Sequence, residues 1–228
     1  MAPMALLPES LSEVEQRELM EDLNYLNMAE IRGFCKQHSI PYSIWIRSED
    51  QGRVKTRDED RKGVVLNRIR HYLKTGSVLE ATCFPANVVC FDESRKRVKA
   101  SDRLFYGQYD PKSDRMIALL RQLTGGRFQH GAIARILARE FWSKGIAPTY
   151  REYAAEWLIA KEQHKRPNPE WAFLSDRAEG KGTTKWKELR KRKARKVLRV
   201  LKRLEQQSTL DAPEQQHKKA FNRAGSRG

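Results

Sequence analysis

The residues with the plainest chemistry lie between Lys185 and Arg203. The stretch KWKELRKRKARKVLRVLKR carries eleven Lys or Arg against one acid, Glu188. Such a run binds polyanions, because Lys and Arg neutralise nucleic-acid phosphates and release their counterions. The charges must then share a face. At about 100° per residue, Trp186, Leu189, Ala194, Val197, Val200, Leu201 and Leu204 fall on one side. Lys185, Lys191, Arg192, Arg195, Lys196, Arg199, Lys202 and Arg203 fall on the other. Arg190 and Lys193 intrude at the apolar stripe, where their stems can lie over it with the charge outside. The pattern predicts an amphipathic helix docked through Trp186 and the leucines, with a cationic face left over. Its length of about 30 Å approaches one turn of duplex DNA. If about six cations engage phosphates, affinity falls with salt at a log–log slope of about −5.

The same residues fit three other uses. A membrane-surface helix needs a fuller aromatic side than this one offers. RKRKARK is compatible with a nuclear import signal. A solvated face could also pair with acids of its own chain.

Catalytic chemistry finds little footing. Asp92, Glu93 and Lys96, or Asp110, Lys112 and Asp114, contain the residue types of a metal nuclease. Such clusters are common in charged loops. No Gly-rich phosphate loop and no nucleophile beside a base is visible, and His130 precedes a helix as a capping or surface residue. The expectation is a non-enzyme without cofactor or metal. Cys35, Cys83 and Cys90 are odd in number and lack metal-ligand spacing, which points to a reducing compartment. Phe141, Trp142, Tyr150, Tyr153 and Trp157 interleave with bases and could stack on unpaired bases. Their helical spacing favours core packing. A helix-turn-helix around KGIAPT is disfavoured by its long, Pro-broken spacer.

The whole chain sets the frame for these residues. It has 228 residues, net charge +16, 39% hydrophobic and 32% charged residues. That length allows one medium domain or two small ones, with a modest core. The charge predicts attraction to DNA, RNA or an anionic surface. It is also uneven. Residues 1–30 hold seven acids and one base, while residues 161–228 hold twenty bases and eight acids. The asymmetry means either a division of labour or internal ion pairing. No apolar run approaches a membrane span, and the N-terminus lacks the cationic start of a signal peptide.

Helices are expected from Ser10 or Ser12 to about Leu23, weakly amphipathic with Leu11, Val14, Glu18 and Leu19 on one side, and from an Asn27–Glu30 capping box to Pro41. SIWIRSEDQGRVKT suggests a small hairpin or long loop. Asp58 or Asp60 can cap the next helix, which Gly76 ends. Its apolar face is Val65, Leu66, Ile69, Tyr72 and Leu73, with Arg61, Arg68, His71 and Lys74 opposite. From Ser77 to Asp114 the pattern is irregular, with NVVCF as a short extended piece. Helices follow over RMIALLRQL, over HGAIARILAREFWSKG with Ile133, Ile136, Leu137 and Phe141 inward, and from a Thr149–Glu152 capping box. Asn168 caps a short turn, and Thr183 or Thr184 caps the basic helix.

The stretch LNMAEIRGFCKQHSIPY resembles the first helix of the SAP domain, a small helix–extended loop–helix module. The matching positions are Leu26, Ala29, Glu30, Ile31, Arg32, Cys35, Lys36, His38 and Ile40. Lys62, Val65, Arg68, Ile69, Tyr72 and Leu73 match the second helix in order. The resemblance covers roughly residues 23–74 and implies DNA binding through the loop and the start of the second helix. Two departures stand out. Ser39 takes the place of the usual Gly, and the loop is enlarged to YSIWIRSEDQGRVKTRDED.

The expected fold is mainly α, a SAP-like module followed by a helical C-terminal region with a long basic helix. The expected divisions are 1–76, an irregular connector 77–114, a helical basic domain 115–207 and a disordered tail 208–228. The candidate DNA contacts are Arg32, Lys36, Arg61, Lys62, Arg68, His71, Lys74, Lys191, Arg192, Arg195, Lys196, Arg199, Lys202 and Arg203. The expected function is phosphate-dominated binding of duplex DNA by an accessory subunit, cytoplasmic, with the nucleoid in a bacterium or in the nucleus of a eukaryote. RNA binding and docking of the basic helix to an acidic protein are the alternatives. A protein partner would use the helical C-terminal region, and no membrane is involved.

Overall fold

The computed structural model describes residues 11–48, 52–92, 98–163 and 187–206. Trp186, Asn168, the Thr183 and Thr184 caps, Glu93, Lys96 and the expected tail lie outside them. The described chain is mainly helical with one three-stranded sheet, and it folds into two compact units. The divisions are not those the sequence suggested. Residues up to Tyr42, Lys62–Glu80 and the helix over 187–206 make the first unit. Ser43–Arg61 and the chain from Ala81 through 163 make the second. The enlarged loop thus belongs to another unit than the two helices it joins.

In the first unit, α1 (Glu13–Asp22) starts at a capping box. The Ser12 N–H donates to Glu15 Oε2 at 2.9 Å, and the Glu15 N–H donates to Ser12 Oγ at 3.3 Å. Leu11 and Leu19 are buried, whereas Val14, expected beside them, is 53% exposed. Helix α2 (Met28–Gln37) has the expected Asn27–Glu30 box, with bonds of 2.6 and 2.8 Å. It stops before Pro41. The Ile40 N–H donates to the Cys35 carbonyl at 2.9 Å, and Ser39 turns left-handed with φ 55°. Helix α3 (Lys62–Thr75) buries Val65, Leu66, Ile69 and Leu73. Gly76, at φ 69°, ends it by donating its N–H to the Tyr72 carbonyl at 2.8 Å. The helix over 187–206, α7 in chain order, adds Ala194, Val197, Leu201 and Leu204 to the same core.

The second unit begins with the hairpin β1 (Ser43–Ser48) and β2 (Gly52–Glu59), paired antiparallel with Ile46 opposite Val54. Strand alternation points Ile44 and Ile46 into the core. A short β3 (Cys83–Phe84) pairs parallel to β1 and completes the order β2-β1-β3. Three helices follow: α4 (Asp114–Leu123), α5 (Ala132–Ser143) and α6 (Tyr150–Gln163).

Several expectations change here. Ser77–Asp114 is no connector: Phe84, Val88 and Leu104 are fully buried in this core. Part of NVVCF is a 3-10 turn, Ala86–Val88. Asp58 does not cap α3. It sits in β2, accepts the Tyr106 hydroxyl at 2.8 Å and lies 3.7 Å from Arg139. The fully buried face of α5 is Ala134, Ala138 and Trp142; the expected Ile133, Leu137 and Phe141 pack against the same core while half-buried, and Ile136 is half-buried without joining it. Small side chains let neighbours come close, and the Tyr153 hydroxyl reaches the Ala134 carbonyl at 2.7 Å. The Trp142 ring N–H likewise reaches the Leu104 carbonyl at 3.0 Å. Tyr150, Tyr153 and Trp157 are buried on α6, so these aromatics pack the core and do not face solvent as a stacking platform.

Candidate nucleic-acid interface

The sequence of α7 sorts its side chains as it folds. Residues 194, 197, 201 and 204 recur at helical spacing and bury against α1, α2 and α3 of the first unit. Each buried Val or Leu contributes about 1.5–3 kcal/mol, against about 0–1 kcal/mol for a surface ion pair. Apolar contacts therefore hold the helix, and its charges set register.

The register is antiparallel to α1. Lys193 Nζ lies 3.0 Å from Asp22, Lys196 bonds Glu18, and Arg203 reaches Glu15 at 4.0 Å. Arg190 donates to Glu30 and to the Tyr25 carbonyl, the latter at 3.1 Å. His38 meets Glu205 at 2.8 Å and the Tyr72 hydroxyl at 3.0 Å. The Lys196 bond holds the Glu18 carboxyl below its ordinary value, and Glu18 raises Lys196 in return. The backbone N–H of Ser12 lowers Glu15. The acidic front of the chain thus takes up four cations of the basic rear.

Lys191, Arg192, Arg195, Arg199 and Lys202 remain exposed, with no ion pair among the described residues. Spacings of three and four residues put Arg192, Arg195, Arg199 and Lys202 in one row, with Lys191 beside it. From Lys191 to Lys202 the helix rises about 16 Å, the axial reach of about five phosphates on one strand. Like charges in a row repel, so the row is an uncompensated field that a polyanion relieves.

The other candidate contacts divide. Lys36 and Lys74 are exposed. Arg68 is 5% exposed, with Nε on the Glu80 carbonyl at 3.1 Å and Nη1 on the Pro41 carbonyl at 3.0 Å. It is an internal brace, not a member of an outward row. Lys62 bonds the Asn24 carbonyl, and burial pushes its pKa down to about 8. The expected phosphate role at the start of α3 is therefore spent on an internal bond. Arg32 Nε bonds the Met28 carbonyl at 3.1 Å, and His71 bonds Ser77 at 2.8 Å. Arg61 belongs to the second unit, where it pairs with Glu140 at 3.1 Å.

No protein-family model, no curated protein and no solved structure matches the chain. The residues themselves carry the functional argument. Sequence reasoning named the cations but not their individual counter-ions. The signal was the acidic spacing Glu15, Glu18, Asp22, which follows one helix face and matches Lys193, Lys196 and Arg203 in reverse order. No helix among the described residues is long and apolar enough to cross a membrane.

Proposed function

We propose that the protein is a non-enzymatic, phosphate-dominated DNA-binding protein with weak sequence preference, acting as an accessory or recruiting subunit. The observation that carries this reading is the exposed row Lys191, Arg192, Arg195, Arg199 and Lys202, unpaired among the described residues, on a helix fixed by its opposite face. A helix so anchored presents its charges without having to fold on binding, which lowers the ordering cost. The SAP-like pattern over α2 and α3 adds support for DNA over other polyanions, and Lys36 and Lys74 are the exposed cations of those helices. Charge without a set of base-reading groups gives affinity with little sequence preference.

Fluorescence anisotropy across a salt series tests the reading with duplex DNA, single-stranded DNA and RNA of equal length. Duplex should bind most tightly, with a log–log slope of about −4.5 for five phosphate contacts. Absence of binding at low salt would remove nucleic acid as the target. Tighter binding of RNA would move the assignment to RNA.

A further inference from the structure

The second unit holds a cleft of about 320 Å³, lined by Asp58, Phe91, Tyr106, Tyr109, His130 and Arg135, among others. That is the small end of the range for ligand sites, about 300–1,000 Å³. It has room for one compact group and not for a run of stacked bases.

Three features of its wall suit a ligand. The first is Phe91, 60% exposed, an aromatic ring left in solvent. It lies edge-on to Tyr106 with ring centres 6.1 Å apart. It is held directly over Gly107, whose φ is 95° and where an added Cβ would come within 2.6 Å of the Phe91 ring. The second is an orphaned polar atom. His130 Nε2 is buried and has no hydrogen-bond partner among the described residues, and its ring centre lies 5.6 Å from that of Tyr109. An unmet buried polar atom costs about 1–3 kcal/mol, a cost that a ligand with matching edge groups removes. The third is Arg135, exposed at the mouth and without a carboxylate partner among the described residues. It lies close enough that burial and its charge together hold His130 below its ordinary value, which favours the neutral imidazole. A neutral ring can donate or accept at Nε2.

An aromatic wall takes a planar ring, an unmet polar atom reads a heteroatom-bearing edge, and a guanidinium with no carboxylate partner among the described residues takes an anion. A nucleoside monophosphate combines all three. We propose that this cleft binds a nucleoside 5′-monophosphate unit, with the base against Phe91 and Tyr106, its edge at His130, and the phosphate at Arg135. The unit can be a free nucleotide or the unpaired end of a strand. The inference stands apart from the role of α7, because it concerns a different unit of the protein and a different ligand form.

Isothermal titration of the full-length protein with the four ribonucleoside 5′-monophosphates, their nucleosides, inorganic phosphate and a single-stranded pentanucleotide tests it. Phe91 and Arg135 are exposed, so Phe91→Ala and Arg135→Ala leave folding intact, checked by thermal unfolding. At least one monophosphate or the pentanucleotide should bind with Kd below about 1 mM. Each substitution should weaken that binding about tenfold, while the Arg195→Ala, Arg199→Ala, Lys202→Ala variant should leave monophosphate binding unchanged. A tighter, Arg135-dependent pentanucleotide marks a strand end as the source, and a tighter monophosphate marks a free nucleotide. The proposal is wrong if no probe saturates, if neither cleft substitution matters, or if inorganic phosphate binds as tightly as the nucleotides.

Discussion

The ammonium of Lys193 lies 3.0 Å from each carboxylate oxygen of Asp22, a residue only 5% exposed. This pair joins the two ends of the sequence. Asp22 comes from the acidic front and Lys193 from the basic rear, and the Lys193 ammonium also lies 5.9 Å from the Tyr25 ring centre. Asp22→Asn keeps the shape and removes the charge. It should lower unfolding stability by about 1–3 kcal/mol, the range for a charged hydrogen bond, measured by urea titration. Nucleic-acid affinity should not fall, because the change releases a cation.

Arg68 separates structural cations from binding ones. Arg68→Met leaves the carbonyls of Pro41 and Glu80 without their guanidinium donor. Stability should drop by about 2–4 kcal/mol. Affinity for duplex DNA, measured where the variant is fully folded, should stay within about twofold of the parent. A large loss of affinity with unchanged stability would put Arg68 on the binding surface.

Acid should loosen the fold through identifiable groups. Glu15 and Glu152 are lowered by hydrogen bonds from the backbone N–H groups of Ser12 and Thr149, and Glu18 by the Lys196 bond. A carboxyl with a lowered folded value stabilises the fold above its ordinary value of 4.5 and loses that contribution as pH falls through the lowered one. Stability should therefore be level on this account above pH 4.5 and fall below it. Glu18→Gln should make the acid limb shallower when urea midpoints are compared across pH.

Ser39 holds a left-handed conformation that glycine adopts freely, at φ 55°. The strain at such a residue is about 1–2 kcal/mol, and the added freedom of glycine in the unfolded chain offsets about 0.4–1 kcal/mol. Ser39→Gly should thus raise stability by up to about 1.5 kcal/mol, seen as a higher Tm. A lower Tm would show that Ser39 is not strained there.

Local signals were legible in the sequence where one segment contains its own answer. The capping boxes at Asn27–Glu30 and Thr149–Glu152, the left-handed stop at Gly76 and the apolar face of α7 each depend on residues a few positions apart. Apart from Val14, the main misses involve partners distant in the chain. Arg68 looks solvent-facing on a wheel, but the carbonyls that bury it come from Pro41 and Glu80. Residues 77–114 lack periodicity because β3 is two residues long and the remaining buried positions, Val88 and Leu104, sit in a turn and a loop. The inserted hairpin hides its membership in another unit, since its partner strand follows the next helix. For the candidate interface, the wheel gave the cations, and only pairing with α1 separated the free ones from the neutralised ones.

The most direct test compares salt slopes for duplex DNA binding by the parent and by the Arg195→Ala, Arg199→Ala, Lys202→Ala variant. These residues are exposed and have no ion pair among the described residues, so the fold should survive, with unchanged thermal unfolding as the control. Losing three of five contacts should move the slope from about −4.5 to about −2 and weaken binding at low salt. An unchanged slope in the folded variant would contradict the account and remove α7 from the contact.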